Sequence, residues 1–147
     1  MFNYKVCAGH FLNILPYLQY RGCAMCKILV IDDERSILNM IRQLLEMNGH
    51  VVDTAGDGGE GIKKFDNDCF DLVITDICMP GVDGNSVANH IRNSDKKYVP
   101  VIGISGTPWA FEGSSFNTIF EKPFQLQALV NTVKELIPAN SKIAALG

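Results

Sequence analysis

The sequence has no long run of lysine or arginine, and its formal net charge of −3 argues against binding nucleic acid by neutralising phosphates. Nor is there an apolar stretch long enough for a membrane span: the one near the amino terminus is short and is interrupted by Asn13 and Pro16. Histidine is sparse. His10, His50 and His90 show no metal-ligand spacing, so surface or packing roles are expected of them. Five cysteines, at 7, 23, 26, 69 and 78, fit neither a fully paired disulfide framework nor a four-ligand zinc site, which predicts reduced, intracellular thiols. Cys23 and Cys26 have the spacing of a redox pair, but they precede a strand instead of opening a helix after one, and so lack the helix dipole that lowers a thiol pKa.

What is present suits one folded domain. The chain has 147 residues, 47% of them hydrophobic and 20% charged, a composition that excludes wholesale disorder. Residues 1–26 read as an aromatic-rich amino-terminal extension. Lys5 and the apolar residues after it make a poor signal peptide with a weak cleavage site. Met25, directly before the first strand, is an alternative natural start. In that reading residues 1–24 are an added element, ordered only if its aromatic side chains find a groove.

From residue 27 the pattern is regular. Short apolar runs at 27–31, 50–55, 70–75, 99–105 and 117–121 predict strands. Between and after them, helical spacing appears at 34–48 (Ile37, Ile41, Leu44 and Leu45, flanked by Leu38), at 59–68, at 85–93 (Val87, Ile91) and at 125–137 (Leu126, Leu129, Val130, Val133). This alternation predicts an α/β domain, a doubly wound parallel sheet covered by helices on both faces.

In such a sheet the reactive groups gather at the carboxyl ends of the strands. Those ends carry Asp32 and Asp33, Asp76, Ser105 and Lys122. Three neighbouring carboxylates repel one another, an arrangement that makes sense around a divalent cation, and Mg²⁺ suits an all-oxygen site. Solvated acids that simply end strands are the bland alternative. It is weakened by the hydroxyl and the lysine at the matching ends of two further strands. "GDGGEG" (56–61) has dinucleotide-fingerprint spacing but follows the second strand, and the first ends on two acids, so a flexible turn is expected there. Gly81 and Gly84 are expected to serve the turn after Pro80. Trp109 and Phe111 suit either local packing or an exposed docking patch.

"ILVIDDE", "DLVITDICMPGVDG", "VIGISG" and "FEKPF", in this order, resemble the receiver domain of two-component response regulators over residues 27–137. The resemblance implies a flavodoxin-like five-stranded parallel sheet of order 2-1-3-4-5, with a carboxy-terminal tail at 138–147. It implies that Asp76 is phosphorylated by a histidine kinase or a histidine phosphotransfer protein. Asp32, Asp33, Asp76 and the backbone carbonyl of Cys78 would hold Mg²⁺, and Ser105 and Lys122 would contact the phosphoryl group. Phe120 stands at the position of a switch aromatic, and Lys122-Pro123 at that of a cis peptide bond.

Such a domain catalyses its own phosphorylation and dephosphorylation but is mainly a cytoplasmic signalling switch, read by a downstream protein target, without direct nucleic-acid binding or membrane insertion. Ser105 and Lys122 lie closer together in sequence than in most members, and the intervening residues are broken by proline and glycine. The fourth helix is therefore expected to be shortened or missing. No output module follows residue 137, so a single-domain regulator is expected. The alternatives are a phosphorylation-independent pseudo-receiver acting as a protein-binding module and a magnesium-dependent phosphatase. The phosphatase would carry a second acid two residues after its nucleophile, where this chain has Cys78.

Overall fold

The computed structural model describes residues 25–107 and 115–137. The expectations for Trp109, Phe111 and Cys23, and the order of the leader and tail, fall outside them. The strands are β1 (Lys27–Ile31), β2 (Val51–Ala55), β3 (Leu72–Asp76), β4 (Val101–Ser105) and β5 (Thr118–Glu121). The helices are α1 (Arg35–Met47), α2 (Gly58–Asn67), α3 (Gly84–Arg92) and α4 (Leu126–Leu136). All four strand pairings are parallel, and the order is β2-β1-β3-β4-β5. This is the expected doubly wound sheet. Among the described residues no helix lies between β4 and β5, in keeping with a shortened fourth crossover.

Strand alternation divides the core between the two faces. Ile28 and Val30 of β1 pack with Ile41, Leu45, Leu129 and Val133 beneath α1 and α4. Leu29 and Ile31 face the other way, toward Phe65, Val87, Ala88 and Ile91 beneath α2 and α3. On α1 the stripe is rotated from expectation. Leu38, Ile41 and Leu45 are buried, whereas Ile37 and Leu44 are half-buried. On α4 Leu126 is left 39% exposed, because it stands at the first turn, above the sheet layer.

The glycine-rich stretch at 56–61 is an ordered helix start, which corrects the expectation of a flexible turn. Asp57 caps α2 by accepting from the Glu60 N–H at 2.7 Å, and Glu60 reaches back to the Gly56 N–H at 2.8 Å. A side chain on Gly58 would place its Cβ 2.2 Å from the Val82 carbonyl oxygen, so glycine there permits close packing of the loop onto the helix. Cys26 and Cys78 are reduced, whereas Cys69 is disulfide-bonded, so the expectation of reduced thiols is corrected at Cys69.

Candidate functional site

The carboxyl edges of β1, β3, β4 and β5 converge on one acidic pocket. Asp76 is the last residue of β3, which runs between β1 and β4 and is buried along its whole length. Four apolar or β-branched residues lead into Asp76 because a strand covered on both faces demands them, and the carboxylate falls where that cover ends. Two features fix the backbone there. The Thr75 hydroxyl donates to the Asp76 carbonyl at 2.9 Å. A Cβ on Gly84 would sit 2.3 Å from that same carbonyl oxygen, so the start of α3 packs directly against the site. Gly84 thus serves close approach, whereas Gly81, at φ +75°, serves the turn as expected.

Asp32 and Asp33 follow β1. Carboxylate oxygens of Asp32, Asp33 and Asp76 lie within 4.8 Å of one another. Asp32 is buried. Its Oδ1 accepts from the Glu34 N–H at 2.8 Å, while its Oδ2 is buried without a hydrogen-bond partner. The Lys122 ammonium approaches from the loop after β5, 3.8 Å from Asp32 Oδ2 and 3.7 Å from Asp76 Oδ1. The Lys122-Pro123 bond is cis, as expected.

Burial pushes the Asp32 carboxyl up from 3.8 to about 6, with Asp76 and Asp33 adding repulsion, while the Glu34 N–H and Lys122 oppose the rise. Burial likewise raises Asp76, against the pull of Lys122 and of the backbone N–H groups of Cys78 and Ile77. The pocket is thus short of positive charge. A buried unpartnered oxygen and three clustered carboxylates form a hard, all-oxygen donor set that fits Mg²⁺.

Ser105, fully buried at the end of β4, is held in its own loop. Its Oγ donates to the Thr107 carbonyl at 2.7 Å and accepts from the Thr107 N–H at 3.0 Å. Cys78 is exposed, with its Sγ 3.3 Å from the Thr107 hydroxyl. Phe120 is half-buried on β5, its ring 5.7 Å from that of Phe124. Sequence reasoning passed over Thr75 and Thr107. Nothing in their spacing marks them, since their contacts arise only where the strand ends meet.

His50 and His90 behave as expected, while His10 lies outside the described residues. His50 is buried, and His90 stands 2.7 Å from an Asp66 carboxylate oxygen on the surface.

A doubly wound α/β domain with an acidic pocket and a lysine at its strand ends defines the class. The family it matches, over residues 28–134, is the response regulator receiver domain. The chain belongs to that family. Among curated proteins it is 38% identical to the CAI-1 autoinducer sensor kinase/phosphatase CqsS of Vibrio cholerae, over 82% of this chain and 18% of that protein. It is 36% identical to the transcriptional regulatory protein ResD of Bacillus subtilis, over 76% of this chain and 48% of that protein. The chain therefore spans about half or less of the length of these relatives.

Among solved structures, the response regulator TrrA of Thermotoga maritima in complex with Mg²⁺-BeF is 36% identical, with a TM-score of 0.70, over 76% of this chain and 99% of that one. The chemotaxis response regulator CheY4 of Vibrio cholerae is 27% identical, with a TM-score of 0.70, over 77% of this chain and 99% of that one. No helix of the described residues is long and apolar enough to cross a membrane.

Proposed function

We propose that this chain is a receiver that accepts a phosphoryl group on Asp76 and signals through a conformational switch. The observation that carries the reading is the Asp76 carboxylate at the end of the central strand, beside Asp32 and Asp33 and 3.7 Å from the Lys122 ammonium. An Asp76 carboxylate oxygen attacks the phosphorus of a phosphohistidine on a histidine kinase or phosphotransfer protein. The P–N bond breaks, its electron pair leaves with the imidazole, which takes up a proton, and an acyl phosphate remains on Asp76.

Asp32, Asp33, Asp76 and the Cys78 carbonyl would hold Mg²⁺, which when bound offsets the repulsion between the carboxylates and the incoming phosphoryl oxygens. Lys122 supplies a compact positive charge to the same oxygens. Ser105 donates to a phosphoryl oxygen once it exchanges the Thr107 carbonyl for that acceptor. The space it vacates and the half-buried ring of Phe120 couple the event to the β4–β5 edge, where a downstream protein reads it. The site of action is the cytoplasm, where ATP-fed kinases keep their phosphoryl donors.

Intact-mass measurement after incubation with Mg²⁺ and phosphoramidate tests this. The wild type is expected to gain one phosphoryl group and Asp76→Asn none. No gain in the wild type, with no Mg²⁺ binding by titration, would leave a pseudo-receiver as the better account.

A further inference from the structure

The exposed side of α1 carries an uncharged groove in which methionine and leucine side chains alternate with neutral polar ones. Ser36, Asn39, Met40, Gln43, Leu44 and Met47, together with Leu126 at the start of α4, line an open groove of about 430 Å³. Met47 is 86% exposed, and Met40 and Leu126 are each 39% exposed. None of the lining side chains is charged, so covering the groove strands no ion and leaves only neutral amides and a hydroxyl to be satisfied.

The chain itself contains a segment of matching chemistry. Residues 11–20, "FLNILPYLQY", contain no charged side chain but seven large apolar or aromatic ones, with Asn13 and Gln19 as the amide partners that Asn39 and Gln43 call for. The connection also suits it. Cys26 is buried with Leu45 and Ile137, and its carbonyl accepts from the Val51 N–H at 2.9 Å, so the chain enters β1 at the end of the sheet where α1 finishes. Residues 21–24 span up to about 13 Å when extended. The groove, from Ser36 to Met47, is about 16 Å long. An extended ten-residue segment exceeds that length and a helical one, at about 15 Å, nearly matches it, and tethering raises its effective concentration to the millimolar range.

We infer that residues 11–20 of this chain dock in the groove formed by α1 and the first turn of α4, covering Met40, Met47 and Leu126. The experiment uses the full chain with p-benzoylphenylalanine in place of Met47, photolysed as a mixture of ¹⁴N- and ¹⁵N-labelled protein. Crosslinks to residues 11–20 within one chain are expected. Crosslinks that join two chains would assign the face to a second copy, and crosslinks to residues 138–147 would assign it to the tail. Either result, or no crosslink to residues 11–20, overturns the inference.

In parallel, the full-length double variant Met40→Glu and Met47→Glu, which alters only exposed positions, is expected to be cut by chymotrypsin after Tyr17 and Tyr20 at least about tenfold faster than wild type. An unchanged rate overturns it equally.

Discussion

The ionised Asp32 carboxylate opposes folding when no cation is bound. Its side chain is almost wholly buried, and its pKa rises from 3.8 to about 6. A carboxyl that holds its proton more tightly in the folded state lowers stability as pH rises through that window. Stability contributed by this group is intact below about pH 4 and has fallen to its floor by about pH 7. A gap of about 2 pK units corresponds to about 3 kcal/mol. Asp32→Asn removes the ionisation while keeping an oxygen that can accept from the Glu34 N–H. It forfeits the attraction to Lys122, 3.8 Å away. The expected net gain is about 1–3 kcal/mol at pH 8 in EDTA, shrinking toward zero near pH 4. Urea unfolding of both proteins across that range measures it. An Asn variant no more stable than wild type at pH 8, or one whose advantage persists undiminished at pH 4, would refute the reasoning.

Further outcomes follow from the same pocket and from its supports. Mg²⁺ at a hundredfold excess over its Kd is expected to stabilise the wild type by about 2.7 kcal/mol; Asp32→Asn should lose most of that gain, as read by thermal melts with and without the ion. Lys122→Ala is expected to slow phosphorylation by phosphoramidate by about two orders of magnitude, because it removes the cation from the developing phosphoryl charge; a rate within twofold of wild type would exclude that role. Gly84→Ala forces a methyl against the Asp76 carbonyl and is expected to cost about 1–3 kcal/mol in urea unfolding. Lys96 donates to the Phe65 and Asp68 carbonyls at 2.7 and 2.6 Å, at the end of α2, so Lys96→Met should destabilise by about 1–2 kcal/mol, with hydrogen exchange rising first in the last turn of α2.

The strand positions were legible because a sheet covered on both faces demands unbroken apolar runs, and β1 and β3 have them. Asp32, Asp33, Asp76 and Ser105 were legible because each follows or closes such a run, and Lys122 because it follows the short last strand. Long-range packing was not. Gly58 and Gly84 look like loop glycines until Val82 and Asp76 are brought against them from elsewhere in the chain. The rotation of the α1 stripe toward Leu38 has the same origin. Local spacing offers several apolar faces, and contact with the sheet selects one.

Arg92, in the last turn of α3, donates through Nη1 to the Lys97 and Val99 carbonyls and through Nη2 to Asn117 Oδ1 at 2.7 Å. That same oxygen accepts from the Val101 N–H, and the Asn117 N–H returns to the Val101 carbonyl, both at 2.8 Å. The edge strand is therefore moored by the residue just before it to the two elements that precede it, independently of whatever joins it to β4. Evolution can shorten, lengthen or replace that connection as a cassette while β5 and Lys122 keep their register. The chemistry of the pocket and the surface that reports on it are thereby free to diverge at different speeds.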